Sequence, residues 1–430
     1  ECERVPELKA ERVRFMQRYK NPDLPIEERL DDLMQRMTFQ QKIDQITCLV
    51  TIGPDIPDFH AYIPNGIGNV GAFTVADHVE KIVEYVMTLQ KYLVEETPLG
   101  IPALIHCEAS AGAQFTEANV FPSAIAQAST FAPSLVAQMT EIIRQQMLYV
   151  GFRQALSPVM DITRDPRWGR ITETYGEDPT LTSAFATAFV KGLQTDDLTK
   201  GIAATAKHFA GHGVTEGGLN MARNLVSERE LQEVHCKPFQ SAITEADLKS
   251  VMNSYCSING EPVVGSRKML TTLLREQMGF AGFVVSDYIS LDRMVDPFQV
   301  AETFEEAGIR AIKAGLDVEL PRPKGFTGAL EKAVADGRLD MATIDQAVRR
   351  VLRVKFELGL FENPYPDLAS LKKTLHQPAT DRLNETLAEE SFILLKNNHN
   401  LLPLSKKVRK IAVVGPHADN IRSLFGTFSY

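Results

Sequence analysis

Short apolar runs that end in polar residues recur along the chain and predict buried β-strands. The seven runs end at residues 73, 108, 161, 208, 255, 287 and 320. Amphipathic helical patterns lie between them, at 134–150, 228–244 and 268–278. Because a strand that alternates with a helix is the βαβ pattern of a parallel sheet, the chain is predicted to have an α/β fold.

The number of these units favours one parallel architecture over another. Seven units in series suit a closed barrel of TIM type better than a doubly wound sheet. A doubly wound sheet usually carries a Gly-rich dinucleotide-binding turn after its first strand, and this sequence has none there. We therefore predict a TIM-like (β/α) barrel over residues 1–365, with a helical lead-in.

Helical spacing is clear at both ends of the predicted barrel. Apolar positions 26, 30, 33, 34 and 37 predict a helix in the lead-in, and Thr38 is expected to cap a second helix carrying Ile43 and Ile46. A further helix is predicted over 341–359, where apolar residues recur every four positions.

The pattern changes after Asn363-Pro-Tyr-Pro366. Residues 366–408 are predicted to be a linker with one helix at 379–395. The apolar run at 410–416 predicts a strand and turn that open a second α/β sandwich domain over 409–430, with the remainder of that domain absent. On this interpretation the sequence is a piece of a longer protein.

Composition excludes several classes of function. The formal net charge is −9, which argues against a nucleic-acid partner because phosphate binding needs clustered cations. No apolar run reaches the roughly 18 to 20 residues of a membrane span. The 44% of hydrophobic residues is enough for a large core, so a disordered chain is excluded as well.

The five cysteines suggest neither a disulfide scaffold nor a zinc site. Their number is odd and no Cys-x-x-Cys pair occurs, so we expect reduced, buried thiols. The chain begins with Glu1 and shows no signal peptide. A cytoplasmic location is therefore favoured, and a periplasmic or secreted one would follow if a leader had been removed.

Polar residues at the carboxyl ends of barrel strands converge on one mouth, which makes them the candidate site. The predicted strands and the loops after them place there Glu108, Asp161, Arg164, Arg167, Arg170, Lys207, His208, Tyr255, Asp287 and Glu319. This mixture of carboxylates and cations has no metal-ligand spacing and no Gly-rich phosphate loop. It suits a polyhydroxylated substrate such as a short oligosaccharide, with neither metal nor organic cofactor.

Each of the main candidates also has a structural interpretation. Asp287 could attack an anomeric carbon or could simply cap a helix. Lys207 and His208 are adjacent, so both face the mouth only if the strand is interrupted there; otherwise one of them is structural. Glu108 could bind hydroxyls or cap a helix, and His212 is expected to be a buried hydrogen-bonding residue. The loop 164–170 could be held by internal Arg–Asp pairs around Trp168.

In combination, four blocks resemble the family 3 glycoside hydrolases, which include exo-acting β-glucosidases and β-xylosidases. The blocks are 164–170, Thr174-Tyr-Gly-Glu-Asp-Pro179, Lys207-His-Phe209 with Glu216-Gly-Gly218, and Gly282-Phe-Val-Val-Ser-Asp287. The resemblance runs from Arg36-Met-Thr38 to Val413-Val-Gly-Pro416. It implies a TIM-like barrel followed by an α/β sandwich, with the sugar bound between the two.

The resemblance also assigns roles to individual residues. It makes Asp287 the nucleophile of a retaining mechanism, and it makes Arg170, Lys207 and His208 ligands of the sugar hydroxyls, with Tyr255 near the nucleophile. Glu108 falls where the glucosidases usually carry Asp and where xylosidase-like members often carry Glu. The longer side chain leaves less room for a hydroxymethyl group, so glucose and xylose both stay open.

A retaining hydrolase also needs an acid/base, and no residue of 1–430 has a matching motif. The signature of the β-N-acetylglucosaminidase branch begins with a sequence close to Lys207-His-Phe-Ala-Gly-His-Gly213. In that branch Asp-Ser-His follows, whereas this chain has Glu216-Gly-Gly-Leu-Asn220 in its place. This activity is therefore disfavoured. The resemblance implies that in the glucosidase branch this acid is a Glu of the sandwich domain, beyond residue 430. Failing that, a second polypeptide or the other subunit of a homodimer could supply the acid. The rival interpretations are an inactive carbohydrate-binding barrel and an enzyme that transfers the sugar to phosphate.

Overall fold

Short buried runs form a curved sheet of parallel strands. The computed structural model describes residues 17–50, 58–72 and 78–421. Seven strands pair in parallel, in the order in which they occur along the chain. Their bounds are β1 Cys48–Val50, β2 Asn69–Gly71, β3 Leu104–Cys107, β4 Gln154–Ala155, β5 Ala203–Phe209, β7 Ser250–Asn253 and β10 Phe283–Val285.

The run at 316–320 joins the two edges of this sheet. Val318 makes a parallel bridge to Val285 of β10, and Glu319 makes one to Thr47, which directly precedes β1. The segment therefore occupies the remaining position around the ring through single bridges. The sheet closes on itself, and the predicted TIM-like barrel is confirmed.

Helices follow most of the strands and carry their apolar faces inward. They are the α-helices Ile26–Arg36, Phe39–Gln45, Phe59–Tyr62, Val79–Lys91, Ala124–Ser129, Pro133–Val150, Pro179–Gln194, Glu228–Glu230, Lys237–Ala246, Ser290–Val295, Phe304–Ala314, Ala329–Ala335, Met341–Glu357, Leu368–Thr374 and Pro378–Glu390, and the wider π-helical segments Tyr92–Glu96, Leu231–His235 and Lys268–Gln277. None of the helices in these described ranges has the length and apolar character to span a bilayer.

The lead-in has the structure that its pattern predicts. Helix Ile26–Arg36 buries Leu30 and Leu33. Thr38 then begins the second helix with a capping box, in which its hydroxyl accepts from the Gln41 backbone N–H and the Gln41 side chain accepts from the Thr38 backbone.

The structure corrects several strand predictions. β1 was not predicted, because its three residues come shortly after helix Phe39–Gln45 and continue the apolar pattern of that helix. The run that ends at 161 forms only the two residues of β4 and a later bridge from Val159 to Lys207. A small sheet, β6 (Arg223–Asn224), β8 (Ser257–Ile258) and β9 (Glu261–Pro262), was also missed, since two-residue strands have no sequence periodicity.

The C-terminal part also differs from its prediction. Two helices, Leu368–Thr374 and Pro378–Glu390, pack against helix Pro133–Val150, so residues 368–390 rest on the barrel. The predicted helix at 379–395 ends at Glu390, and the predicted strand at 410–416 is wrong: no described strand lies beside this exposed segment to complete its backbone hydrogen bonds. The boundaries at 365 and 408 stay predictions.

Parts of several predictions lie outside the described residues. These are the lead-in before residue 17, Cys2, the end of the first run at residue 73 and the last nine positions of the predicted second domain.

Candidate active site

Asp287 lies just beyond the carboxyl end of β10 and is 6% exposed. Its Oδ1 accepts from the Tyr288 backbone N–H at 2.7 Å and lies 2.9 Å from the Tyr255 hydroxyl. Its Oδ2 has no hydrogen-bond partner among the described residues. One carboxylate oxygen is thus fixed by the protein and the other is left for a different partner.

Two residues at the carboxyl end of β7, the last strand residue Asn253 and the following Tyr255, hold the backbone and side chain of Asp287. The Asn253 side-chain oxygen accepts from the Asp287 backbone N–H at 3.2 Å, and Tyr255 OH lies 2.8 Å from the Tyr288 carbonyl oxygen. Asn253 was missed by the sequence analysis, although the period of two along a strand places it on the same face as Tyr255.

Burial and charge act against each other at Asp287. Burial raises the pKa of its carboxyl group, while the cations of Arg170 and Lys207 and the hydrogen bond from Tyr255 lower it. The neighbouring cations therefore stabilise the ionised form that burial disfavours.

Lys207 and His208 both face the mouth, as functional residues would. The register of β5 against β7 shifts between Ala206 and Phe209, and this irregularity is the predicted interruption of the strand. Lys207 Nζ lies 2.6 and 2.7 Å from the two carboxylate oxygens of Glu108, after β3. Burial raises the pKa of Glu108, and the Lys207 cation opposes that shift.

His208 connects three charged side chains. Its Nδ1 lies 2.7 Å from Asp161 Oδ2, and its Nε2 lies 3.1 Å from Arg170 Nη2 and 3.6 Å from Asp287 Oδ2. Arginine only donates hydrogen bonds, so Nε2 accepts and Nδ1 carries the hydrogen that Asp161 receives. Burial and the Arg170 charge lower the pKa of His208 well below its usual value, which keeps the ring neutral.

The orientation of Arg170 depends on a carboxylate that was not predicted. Glu173 accepts from Arg170 Nε at 3.0 Å and from Nη2 at 2.7 Å, and this pair is largely buried. Glu173 lies three residues after Arg170, between two of the blocks that carry the family resemblance, and that position was the available signal.

The other two arginines of this loop lie outside the site. Arg167 forms a two-pronged exposed pair with Asp165, and Arg164 lies 3.8 Å from Glu230, also exposed. The pair with Arg167 lowers the pKa of Asp165 to about 2. For these two residues the structural interpretation of the loop is the correct one.

Glu319 is also structural. Its carboxylate accepts the backbone N–H groups of Lys324, Gly325 and Phe326, so it fixes the loop after the last barrel position. Burial raises the pKa of Glu319 to about 7, against the effect of these hydrogen bonds.

A second layer of the site comprises His106 and Tyr288. The Tyr288 hydroxyl lies 3.2 Å from His106 Nε2, and burial lowers the pKa of that histidine to about 3. His106 was missed, although strand periodicity places it on the same face as Glu108. This contact links the residue that follows Asp287 to the strand that precedes Glu108.

One group of side chains in this region lies close enough together to hold a metal ion. Asp161, His208 and His212 each offer a ligand atom within 4.8 Å of the others. His212 is buried, and its Nε2 lies 2.9 Å from the Asn220 carbonyl oxygen, which confirms its predicted hydrogen-bonding role. Asp161 comes from a different strand end, which is why spacing along the sequence did not reveal the group.

The predicted set is therefore largely brought together. The structure gathers Glu108, Asp161, Arg170, Lys207, His208, Tyr255 and Asp287 at one mouth. A buried carboxylate with one free oxygen, faced by cations and a neutral imidazole, can bind hydroxyl groups and can attack an electrophilic carbon.

Family models match both parts of the chain. The model described as "Glycosyl hydrolase family 3 N terminal domain" matches residues 42–354, and the one described as "Glycosyl hydrolase family 3 C-terminal domain" matches residues 392–429.

Similar proteins carry glycosidase names. A β-xylosidase of Formosa agariphila is 36% identical over an aligned region that covers 80% of this chain and 51% of the relative. A periplasmic β-glucosidase of Salmonella typhimurium is 31% identical, covering 93% of this chain and 51% of the relative. A β-glucosidase structure from Erythrobacter marinus matches with a TM-score of 0.85 at 34% identity, covering 90% of this chain and 52% of that one. The chain spans about half the length of these relatives.

Proposed function

Because this chain belongs to glycosyl hydrolase family 3, we propose that it is the barrel part of a retaining exo-β-glycosidase that removes the terminal sugar of β-linked glycosides. The observation that carries the proposal is Asp287, a buried carboxylate at the barrel mouth whose Oδ2 has no hydrogen-bond partner in the described part of the chain.

The proposed reaction begins at this oxygen. Asp287 Oδ2 attacks the anomeric carbon, so a carboxylate–carbon bond forms while the bond to the leaving oxygen breaks. The leaving oxygen takes a proton from an acid. Water then attacks the same carbon, releases the sugar and regenerates the Asp287 carboxylate, with the configuration retained.

The remaining residues bind and orient the sugar ring. Arg170 and Lys207 donate to sugar oxygens, and Glu108 accepts from hydroxyl groups. These contacts lower the barrier to the extent that they strengthen as positive charge develops on the ring. No step of this scheme requires a metal or an organic cofactor.

The acid that protonates the leaving group is proposed to lie outside the described barrel. The acidic side chains around Asp287 already have partners: Glu108 binds Lys207, Glu173 binds Arg170 and Asp161 binds His208. A group from another domain, another polypeptide or a second subunit would complete the site. Without it the barrel would bind sugar and not hydrolyse it.

A cytoplasmic location stays a prediction, and the periplasmic name of one relative supports the alternative.

The sugar could be glucose or xylose, and Glu108 is the residue that would decide. Its carboxylate is held by Lys207 at the mouth, and its length limits the space for a hydroxymethyl group. The β-xylosidase name of one relative supports xylose, and the β-glucosidase structures support glucose.

A panel of nitrophenyl β-glycosides tests the proposal on the intact protein. We expect hydrolysis of the glucoside or the xyloside and not of the N-acetylglucosaminide. Asp287→Ala should remove turnover while circular dichroism stays unchanged. Sugar binding without hydrolysis in the intact wild type would instead support the carbohydrate-binding barrel.

The same panel tests sugar choice. Glu108→Asp should raise the ratio of kcat/KM for glucoside over xyloside by roughly 10-fold, because a shorter side chain makes room for the extra carbon. Glu108→Gln is the matched control, since it keeps the length and should leave that ratio unchanged. An equal change of the ratio in both variants would contradict a role for side-chain length.

A further inference from the structure

His212 presents an unused lone pair inside the barrel mouth. Its Nε2 lies 2.9 Å from the Asn220 carbonyl oxygen, which only accepts, so Nε2 carries the hydrogen and Nδ1 does not. Nδ1 is buried and has no hydrogen-bond partner within the described ranges. The ring is fixed by edge contacts with the aromatic rings of Trp168 and Tyr255.

Asp161 presents a second unused acceptor. Its Oδ2 receives both the backbone N–H and the Nδ1–H of His208, whereas its Oδ1 is buried without a hydrogen-bond partner among the residues described. The His208 ring lies edge-on to the His212 ring, with centroids 4.8 Å apart. Two unsatisfied acceptors, one nitrogen and one oxygen, therefore lie on side chains that cluster with the His208 ring.

This geometry and donor set fit a transition-metal ion. A Zn²⁺ ion lies about 2.0 to 2.2 Å from nitrogen and carboxylate ligands, so two ligands on opposite sides are about 4.2 Å apart. The ligand atoms here lie within 4.8 Å of one another, and small side-chain movements would close the site. Two imidazoles with one carboxylate suit Zn²⁺, Co²⁺ or Cu²⁺ better than Mg²⁺ or Ca²⁺. The Asn220 carbonyl is the outer partner that a metal-ligating histidine requires.

We propose that Asp161, His208 and His212 bind a divalent transition-metal ion of the zinc type, and that the bound ion inhibits the site. For Nδ1 of His208 to join the ion, its hydrogen must move to Nε2. Nε2–H then faces Asp287 Oδ2, 3.6 Å away, and Arg170 Nη2 must leave its 3.1 Å contact with Nε2, because both groups are now donors. Binding rests on the three side chains alone, whereas inhibition rests on the proposed glycosidase function.

Calorimetric titration with zinc chloride tests the binding. The wild type should show one tight site, and His212→Asn should weaken it by about 10- to 100-fold or more, since even outer partners of metal ligands have effects of that size. His235→Asn is the matched control, because His235 is also buried with both ring nitrogens unpartnered among the described residues, yet lies outside the cluster. Equal affinities in all three proteins would overturn the proposal.

Two further measurements keep the test decisive if His212→Asn does not fold. Anomalous diffraction at the zinc edge from zinc-soaked wild-type crystals should give a peak between the three side chains; peaks only at surface histidines would overturn the site. Nitrophenyl-glycoside hydrolysis should fall as this site fills and recover with a chelator. Hydrolysis unaffected at full occupancy would overturn the inhibition, and absence of hydrolysis before zinc is added would instead contradict the proposed function.

Discussion

Two arginine–carboxylate pairs on one loop differ in a way that tests how the site is organised at the residue scale. Arg170 and Glu173 form a pair inside the site that also contacts His208, whereas Arg167 and Asp165 form an exposed pair. The two pairs have similar geometry, so burial and the contact with His208 are the main differences between them. Removing each carboxylate should therefore separate a positioning role from an ordinary surface ion pair.

We expect Glu173→Gln to lower kcat/KM by about 10- to 100-fold, because a charged hydrogen bond that orients Arg170 is worth roughly 1.5 to 3 kcal/mol. Steady-state kinetics on the preferred nitrophenyl glycoside measure this loss. Asp165→Asn should change kcat/KM by less than about threefold, since exposed pairs contribute little. Equal losses in the two variants would contradict the positioning role of Glu173.

Lys355 gives a pH-dependent prediction that is independent of the active site. Its ammonium group is fully buried against Gln45 Oε1 at 2.8 Å and the Pro102 carbonyl at 2.9 Å, and burial lowers its pKa from 10.5 to about 7. Between pH 7 and pH 10.5, the folded and unfolded pKa values of Lys355, the unfolded chain binds up to one proton more than the folded protein. The free energy of unfolding should therefore rise with pH, by up to about 1.4 kcal/mol per unit.

Urea unfolding of wild type and Lys355→Met between about pH 7 and pH 9 checks this dependence. We expect the slope contributed by Lys355 to be absent from the variant. Above about pH 9 the buried cysteines act in the opposite sense, because burial raises the pKa of thiols such as Cys107 to about 12. Parallel pH profiles for the two proteins would show that Lys355 remains protonated in the folded state.

Single elements of this fold can be tested through their caps. The capping box of Thr38 satisfies backbone N–H groups at the start of the second lead-in helix. Thr38→Ala should lower the free energy of unfolding by about 1 kcal/mol, measured by urea denaturation. Thr38→Ser retains the hydroxyl group and should remain close to the wild type. A Thr38→Ala protein as stable as Thr38→Ser would contradict the contribution of the cap.

The elements also show what could be predicted from the sequence. Strand ends were recognisable because a buried parallel strand is an apolar run, and the residue after it must reach the mouth or a loop. That reasoning placed Glu108, Tyr255 and Asp287 correctly. Extending the period of two along the same strands would have added His106 and Asn253.

Other features depend on tertiary structure and could not be predicted. The register shift that turns both Lys207 and His208 inward is a property of strand pairing, which apolar spacing does not encode. The separate roles of Arg167 and Arg170 depend on which carboxylate each one meets. The same holds for Glu319, whose partners are backbone groups of a later loop.

At the scale of the whole molecule, the apolar residues after the barrel are the main unexplained surface. Phe392 and Leu395 are 81% and 91% exposed, and Val413 and Val414 are exposed as well. Such concentrations of exposed apolar side chains usually mark an interaction site. All four residues lie within the match to the family's C-terminal domain.

The central claim is that Asp287 forms a covalent bond with the sugar, and trapping tests it most directly. A 2-fluoro β-glycoside with a dinitrophenyl leaving group needs little help from an acid, so it can label the carboxylate whichever domain supplies the proton. After digestion, mass spectrometry should find the fluorosugar on the peptide that contains Asp287, and Asp287→Ala should take up no label. Label on any other carboxylate, or label of equal amount in Asp287→Ala, would contradict the account.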